Sequence, residues 1–326
     1  MKIKHVIVLL FTIQFQVNYA QYTDVINSNR PGESMSAFAV GKTVIQVESG
    51  LSYIKERHGV LDYSASGFIL DMNFRYGFFR EQLETILEIG YQNDKFSDYN
   101  AETIKRTGLK NSTLGLKYLI YDPFKNYEEK IDIYSWKANH KFKWRQLIPA
   151  VSAYAGANLN FSANPFVSED ENLTNISPKL TVISQHIFPD AYVFVTNIFL
   201  DKVGTKYQTL GYIITLTKGF NDKWSAYLEN KGIKGDYYSD GIFSFGAAYL
   251  VNKNFQIDVS LSKNYKDTPY LLYGGFGLSW RSDTNYKDIM IKSKKEEKGK
   301  DKSKKGKEKD KKKKRLDEVE LEKPNP

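Results

Sequence analysis

Residues 68–76 read Phe-Ile-Leu-Asp-Met-Asn-Phe-Arg-Tyr, and stretches of this kind decide the fold. Apolar side chains stand at every second position from Phe68 to Tyr76, and they alternate with Asp71, Asn73 and Arg75. Successive side chains of a β-strand point to opposite faces, so this segment has one apolar face and one largely polar face. Such a strand can meet lipid on one side and a polar interior on the other.

About twelve segments between Thr43 and Arg281 show this alternation, and each has about the length that a tilted strand needs to cross a bilayer. A sheet in lipid has to close, because an open edge would leave backbone groups unpaired in hydrocarbon. The sequence therefore predicts an all-β protein whose residues 43–281 form an antiparallel transmembrane β-barrel of about 12 strands. A soluble β-sandwich also alternates and is the competing fold. The 23 Tyr and 20 Phe, many of them at segment ends, favour the barrel with its interfacial aromatic girdles.

The links between the segments also alternate in length. Short links such as 188–191 and 250–254 are expected on the periplasmic side, and longer ones such as 54–66 and 92–110 outside. The link from Asp122 to Trp144 breaks this rule, because it is long where a short periplasmic turn is expected. An extra strand pair, an interfacial element and a fold into the lumen are all compatible with it.

The first twenty residues are typical of a secretory signal peptide. Lys2 and Lys4 precede an apolar run over residues 6–15, and Ala20 is the predicted cleavage position. Residues 21–42 would then form a periplasmic N-terminal segment before the barrel. An even strand number leaves both termini in the periplasm, so the sequence predicts an exported protein of the Gram-negative cell outer membrane, in contact with its lipid.

Residues 282–326 are predicted to be a disordered basic periplasmic tail. Lys292–Pro326 holds 16 Lys/Arg against 9 Asp/Glu, and its polar composition cannot bury enough apolar area to fold. The body from Gln21 to Ile291 has 29 basic and 29 acidic residues, so no nucleic-acid partner is expected. The tail would contact an envelope protein partner or anionic lipid headgroups, or it would be only a solvated extension.

No catalytic, cofactor-binding or metal-binding residue is predicted. The chain has no Cys and 4 His without metal-ligand spacing, which disfavours zinc sites and excludes disulfides. An outer-membrane lipid hydrolase would need a Ser–His pair on the lipid-facing wall. Ser184 and His186 share a strand face but are better explained as interfacial residues, so the chain is predicted not to be an enzyme.

The candidate functional residues are the charged side chains on the polar strand faces, which would line the lumen. Both signs are present, and a barrel of about twelve strands is narrow, so an ion-paired and mostly filled interior is expected. The predicted lumen-lining residues are Glu48, Asp71, Arg75, Glu84, Glu88, Lys117, Glu229, Lys231 and Asp258.

The stretch 27–41, Asn-Ser-Asn-Arg-Pro-Gly-Glu-Ser-Met-Ser-Ala-Phe-Ala-Val-Gly, with Gln-Val-Glu-Ser-Gly at 46–50, resembles the opening of a known family. It is the outer-membrane "transporter" family labelled "putative MetA-pathway of phenol degradation". The resemblance continues through 177–179 and 211–217 and covers roughly residues 25–281. It implies an outer-membrane barrel that carries small hydrophobic or aromatic compounds.

Two functions remain open from the sequence. The first is a porin-like channel or transporter for small, hydrophobic or aromatic compounds, working by passive diffusion through a narrow charged lumen. The alternative is a non-enzymatic structural or accessory barrel subunit of an outer-membrane complex, tethered through its basic tail.

Overall fold

The computed structural model describes residues 25–98, 102–123, 134–135, 144–160, 164–167, 175–188 and 190–284. The predicted signal peptide and almost all of the predicted tail lie outside the described residues, as does most of the link from Asp122 to Trp144. Among the residues described, no helix is long and apolar enough to cross a membrane.

In the part of the chain that the structure describes, twelve antiparallel strands form one closed barrel, in which each strand pairs with its neighbours along the chain and β1 with β12. The predicted fold class and strand number are confirmed. The strands are β1 (Ile45–His58), β2 (Tyr63–Gly77), β3 (Leu83–Asp98), β4 (Ile104–Tyr121), β5 (Ala150–Leu159), β6 (Ile176–Phe188), β7 (Tyr192–Asp201), β8 (Thr209–Gly219), β9 (Trp224–Gly235), β10 (Ser239–Asn252), β11 (Phe255–Asn264) and β12 (Tyr270–Ser282).

The barrel closes where β1 pairs with β12, in an unbroken register from Ile45 opposite Ser282 to Arg57 opposite Tyr270. The end of the barrel at Ile45 and Ser282 is called the proximal end below, and the opposite end the distal end. Because this register is continuous, the first and last strands leave no unpaired edge over these residues, which is the condition for a sheet in hydrocarbon.

The apolar faces of the strands point outward, as the alternation predicted. Leu114 and Leu228, for example, are 46% and 52% exposed, although both lie within strands. Aromatic side chains gather on the outer surface near the proximal end, among them Trp224 and Trp280. The Trp224 ring also packs against Tyr249, with ring centroids 4.8 Å apart. Exposed apolar side chains in a band of this kind fit a lipid environment.

Several strands extend farther at the distal end than the alternation predicted. The expected link 54–66 shrinks to residues 59–62, because β1 continues to His58 and β2 begins at Tyr63. The expected link 92–110 similarly shrinks to 99–103. The backbone ladder continues where both faces are polar, since cross-strand hydrogen bonds do not require apolar side chains. The alternation of apolar and polar residues therefore indicates which part of a strand faces lipid, and it does not show where the strand ends.

The N-terminal residues before β1 lie inside the barrel, where they form the lumenal segment (residues 26–44). The segment starts at the proximal end, where Ile26 N donates to Lys253 O over 2.8 Å, and it returns there, where Thr43 N donates to Gly77 O over 2.7 Å. The expectation of a separate periplasmic segment over residues 21–42 therefore does not hold for the part described. Its polar groups find hydrogen-bond partners on the lumen wall, for example Asn27 O with Arg75 and Val40 N with Glu84.

The long link between β4 and β5 is described only in part. It includes a short 3-10 helix over Trp144–Leu147, and Arg145 donates from Nε and Nη2 to Pro123 O over 3.0 and 2.6 Å. The choice among an extra strand pair, an interfacial element and a lumenal fold falls on residues that are not described.

A charge on the outer wall should destabilise the barrel if that wall faces lipid. Leu228 pairs with Leu216 and Phe245 on the neighbouring strands. We expect Leu228→Arg to lower the free energy of unfolding by about 2–4 kcal/mol, the cost of Arg near the bilayer midplane. Urea unfolding in lipid vesicles measures it. Val60→Arg, in the β1–β2 turn at 80% exposure, is the control and should change little. Equal stability of the two variants would contradict a lipid-facing wall.

Candidate functional site

Four charged residues form a buried network in the proximal half of the lumen. Arg75 Nη1 lies 3.1 Å from Glu48 Oε1, and Arg75 Nη2 lies 3.0 Å from Glu84 Oε1. Lys117 Nζ lies 2.7 Å from the same Glu84 oxygen. All four side chains are completely buried. Two cations and two carboxylates balance each other, as buried charges must be in a site without bulk water.

The same network holds the lumenal segment through the segment's backbone. Arg75 Nη1 donates to Asn27 O over 2.8 Å, and Lys117 Nζ donates to Ser36 O over 2.6 Å. Val40 N donates to Glu84 Oε2 over 2.8 Å. The wall charges thus serve as hydrogen-bond partners for a stretch without regular secondary structure, whose buried backbone groups would otherwise be unsatisfied.

Arg30 extends from the segment to the wall at β11. Its Nε and Nη2 donate to the two carboxylate oxygens of Asp258 over 3.3 and 3.1 Å, a bidentate pair. The guanidinium lies against Gly50 and Gly277, where an added Cβ would stand 2.2 Å from it in each case. These two glycines of β1 and β12 leave the space that the guanidinium occupies.

The turn of the segment is held by β9. Glu229 accepts hydrogen bonds from Glu33 N over 3.1 Å and from Ser34 N over 3.3 Å. Glu33 in turn pairs with Lys231 Nζ at 2.5 Å and accepts from the Tyr273 hydroxyl over 2.9 Å. Burial would raise the pKa of Glu33, but the charge and hydrogen bond of Lys231, with that of Tyr273, lower it to about 2. Glu33 is therefore ionised at neutral pH.

An apolar cluster fills the lumen beside the charged network. Met35 and Ala37 of the segment pack with inward side chains of β3 to β7, with Phe38 and Val193 at its edge. The inward members are Ile86, Leu119, Ala150, Tyr154, Ile183 and Val195. The proximal half of the lumen is thus packed like a protein core, part apolar and part ion-paired.

A cavity of about 590 Å³ lies in the lumen beyond the turn of the segment. Its wall carries five cationic and five anionic side chains, so its formal charge is balanced. The charged lining residues are Arg30, Glu33, Asp71, Glu88, Lys110, Lys179, Asp201, Lys202, Glu229 and Lys231. Apolar side chains also line it, including Ile54, Ile69, Ile213, Ile242, Phe199 and Leu271. The volume and the mixed lining suit a small organic molecule.

The nine predicted lumen residues all lie on inner strand faces, and the structure divides them by location. Glu48, Arg75, Glu84 and Lys117 form the proximal network, and Asp258 binds Arg30. Glu229 and Lys231 hold the turn of the segment, and Glu88 pairs with Lys179 Nζ at 2.9 Å. Asp71 lines the cavity. Their role in the passage of a solute remains a prediction.

The sequence analysis missed the residues that the segment brings into the lumen, Arg30 and Glu33 above all. It also missed the inward apolar side chains, although Val193 and Val195 already stand on the polar face of their segment. Glycine at lumen positions such as Gly50 was the available signal, because glycine inside a strand often marks a close approach by other atoms.

Among the described residues, the side chains of Ser184 and His186 form no hydrogen bond with each other. The His186 ring stacks on Phe188 at 5.9 Å and contacts Phe194 at 6.2 Å between ring centroids. No group of three or more potential metal ligands occurs among the residues that the structure describes.

A closed twelve-stranded barrel with an apolar outer wall and a charged lumen defines an outer-membrane β-barrel protein. The family model described as "Putative MetA-pathway of phenol degradation" matches residues 28–282. The chain belongs to this family, as its opening residues suggested. No protein among those of curated function matches the chain.

Solved structures with a similar fold have low sequence identity to the chain. The COG4313 outer membrane channel from Pseudomonas putida F1 is 9% identical with a TM-score of 0.48, over 79% of this chain and 100% of the channel. The translocator domain of autotransporter NalP from Neisseria meningitidis is 12% identical with a TM-score of 0.42, over 74% and 89%. The CymD monoaromatic hydrocarbon channel is 9% identical with a TM-score of 0.39, over 74% and 88%.

Removal of Arg75 should free the lumenal segment. Arg75→Met leaves Glu48 and Glu84 without their buried guanidinium, so we expect a loss of about 3–5 kcal/mol in the free energy of unfolding. Ala37 belongs to the segment and is fully buried. Because the chain has no cysteine, the thiol of an Ala37→Cys variant can be labelled alone, and its labelling rate shows how often the segment leaves the lumen wall. A maleimide should label Ala37→Cys slowly in the parent protein and at least severalfold faster with Arg75→Met.

The control is Lys253→Met, which removes a pair with Asp283 whose lysine side chain is 69% exposed. This change should cost about 1 kcal/mol or less and leave the labelling rate unchanged. The same slow labelling in all three proteins would show that Arg75 does not retain the segment.

The glycine at position 50 should matter only while Arg30 is present. Gly50→Ala places a methyl group on the guanidinium and should destabilise the barrel by about 1–3 kcal/mol. In Arg30→Ala, the added Gly50→Ala change should cost much less, so a double-mutant cycle measured by urea unfolding should give a clear coupling energy. Additive effects would contradict the close contact.

Proposed function

We propose that the protein is a passive outer-membrane channel for small organic compounds, with the lumenal segment closing its proximal half. The single observation that carries the proposal is the lined cavity of about 590 Å³ inside a closed barrel. Family membership supports the same class, and the family's description points to small aromatic compounds. A purely structural barrel needs no such space between its strands and the segment.

The proposed orientation places the proximal end and both termini in the periplasm. Support comes from the short proximal turns, such as the five residues 78–82 between β2 and β3. Such turns are typical of the periplasmic side of outer-membrane barrels. The predicted signal peptide would direct export and be cleaved from the exported protein.

A solute that enters from the distal end would reach the cavity and then meet the turn of the segment. The proximal network and the apolar cluster leave the segment in contact with the wall along its length. Passage to the proximal end therefore requires the segment to shift within the lumen. The contacts that hold it are hydrogen bonds and ion pairs, which can exchange with water as the segment moves.

A reversible disulfide bond between the segment and the barrel wall tests this function. The hydroxyls of Ser28 and Ser279 lie 2.7 Å apart, so Ser28→Cys with Ser279→Cys places two thiols within bonding reach in a chain with no other cysteine. We expect oxidation to lower the conductance of single barrels in planar bilayers severalfold, and reduction to restore it. The single Ser28→Cys variant, which should not respond to oxidation, is the control.

Conductance no different from an empty bilayer in the reduced protein would contradict the channel. Conductance that is the same in the oxidised and the reduced protein would contradict the proposed movement of the segment. The protein would then be a channel whose open path does not depend on that movement. The two parts of the proposal thus fail separately.

The packed proximal lumen favours a second candidate, an accessory barrel of an envelope complex. Six fully or almost fully buried side chains, Glu48, Arg75, Glu84, Lys117, Ile86 and Leu119, fill this region in the manner of a stable core. In this function Lys292–Pro326 would tether a partner. Purification in mild detergent, with and without Lys292–Pro326, should then show a stoichiometric partner that is lost on truncation. A lone barrel in both samples would favour the channel.

A further inference from the structure

Two charged side chains on the cavity wall have neither an ion pair nor a side-chain hydrogen bond in the part of the chain that is described. The ion pairs described above join a cation directly to a carboxylate, with N–O distances of 3.1 Å or less. Asp71 of β2 and Lys110 of β4 both line the cavity but form no ion pair within 4.0 Å. They are of opposite sign and lie on the same side of the lumen, separated by β3.

The space between Asp71 and Lys110 stays open because β3 has a glycine there. In the ladder, Asp71 is opposite Gly90, and Gly90 is opposite Asn111. A Cβ at Gly90 would lie 2.0 Å from Asn111 Oδ1 and 3.4 Å from Asp71 Oδ1. Two acceptor oxygens therefore converge above Gly90, an arrangement that suits a donor such as an ammonium group.

A β-bulge inserts Lys110 next to Asn111 in β4. Gly90 is opposite Asn111, but the next pair along the ladder is Tyr91 with Leu109, so Lys110 is the extra residue. Bulges often redirect a side chain at a binding site. Strands β2 and β4 are two strand spacings apart, about 10 Å. The Asp71 carboxylate and the Lys110 ammonium therefore belong to strands on either side of β3, and both line the cavity.

Apolar side chains continue the wall toward the distal end from the same place. Ile69 is two residues before Asp71 on the same strand face, and Ile54 and Leu271 lie on the neighbouring strands β1 and β12. Ile54 and Ile69 are each only 6% exposed. An apolar group that covers them would remove the remaining hydrocarbon surface from water.

We propose that this part of the cavity binds a small zwitterion with an apolar side group, the chemical class of the hydrophobic amino acids. The ammonium group binds Asp71 and Asn111, the carboxylate binds Lys110, and the side group contacts Ile54, Ile69 and Leu271. The inference rests on the proposed channel function and names the substrate class. A solute with one charge would satisfy only one of these two charged groups and leave the other unpaired.

Isothermal titration of the full chain in detergent tests the site with three probes of similar shape. L-Phenylalanine carries both charges, phenethylamine only the ammonium, and 3-phenylpropionate only the carboxylate. We expect phenylalanine to bind about tenfold more tightly than either single-charge probe, since a charged hydrogen bond contributes about this factor. Asp71→Asn and Lys110→Gln should each weaken phenylalanine binding about tenfold.

The matched controls are Asp62→Asn and Lys105→Gln, which make the same substitutions away from the cavity. Asp62 lies in the β1–β2 turn and Lys105 in the distal part of β4, and neither residue lines the cavity. Both should bind phenylalanine as the parent does. Unchanged heat-dependent mobility on gels, the sign of a folded barrel, should accompany all four variants.

Absence of phenylalanine binding, or binding that Asp71→Asn leaves unchanged, would overturn the proposal. Phenethylamine binding as tight as phenylalanine, with no effect of Lys110→Gln, would also overturn it in favour of a site for simple cations. Proteoliposome swelling with L-arabinose separates this result from the proposed function. Phenylalanine binding without swelling would support the site and contradict the channel, whereas swelling without phenylalanine binding would do the reverse.

Discussion

Closure of the sheet is the constraint on which the rest of this structure depends. Hydrocarbon offers no hydrogen-bond partner, so the ladder between β1 and β12 has to be complete from Ile45 to Arg57. Closure with twelve strands fixes a narrow interior that is separated from lipid by one layer of backbone. Whatever stands on the inner faces must then be paired, packed or solvated within that space.

The lumenal segment meets this requirement in the proximal half of the barrel. It brings backbone carbonyls to Arg75 and Lys117, and backbone amides to Glu84 and Glu229. Its apolar residues, Met35 among them, cover the hydrocarbon part of the wall. Wall and segment are therefore complementary in both charge and polarity. Beyond the turn of the segment the same wall is left open, and there the unpaired charges and the cavity occur together.

The alternation of side chains predicted the barrel and the strand number, because a period of two marks each strand and gives it an apolar and a polar face. That the nine charged candidates line a path for a solute stays a prediction. The alternation did not predict the distal strand ends, since the ladder continues through polar sequence. It also could not assign Ile54 or Ile69 to a cavity wall. In the sequence, an apolar side chain on an inner face only interrupts the alternation. Its role becomes clear when its neighbours on other strands are known.

The sequence by itself determined the closed barrel, its lipid-facing surface and its family, because these depend on local periodicity and on a motif that is contiguous in the chain. Only the tertiary structure decided which charges pair, which remain free and where the lumen is filled. Arg30 and Asp258 are 228 residues apart in sequence, and their contact requires both barrel closure and the entry of the segment. Such contacts depend on the strand register and on the position of the segment inside the closed barrel, and no local pattern in the sequence predicts them.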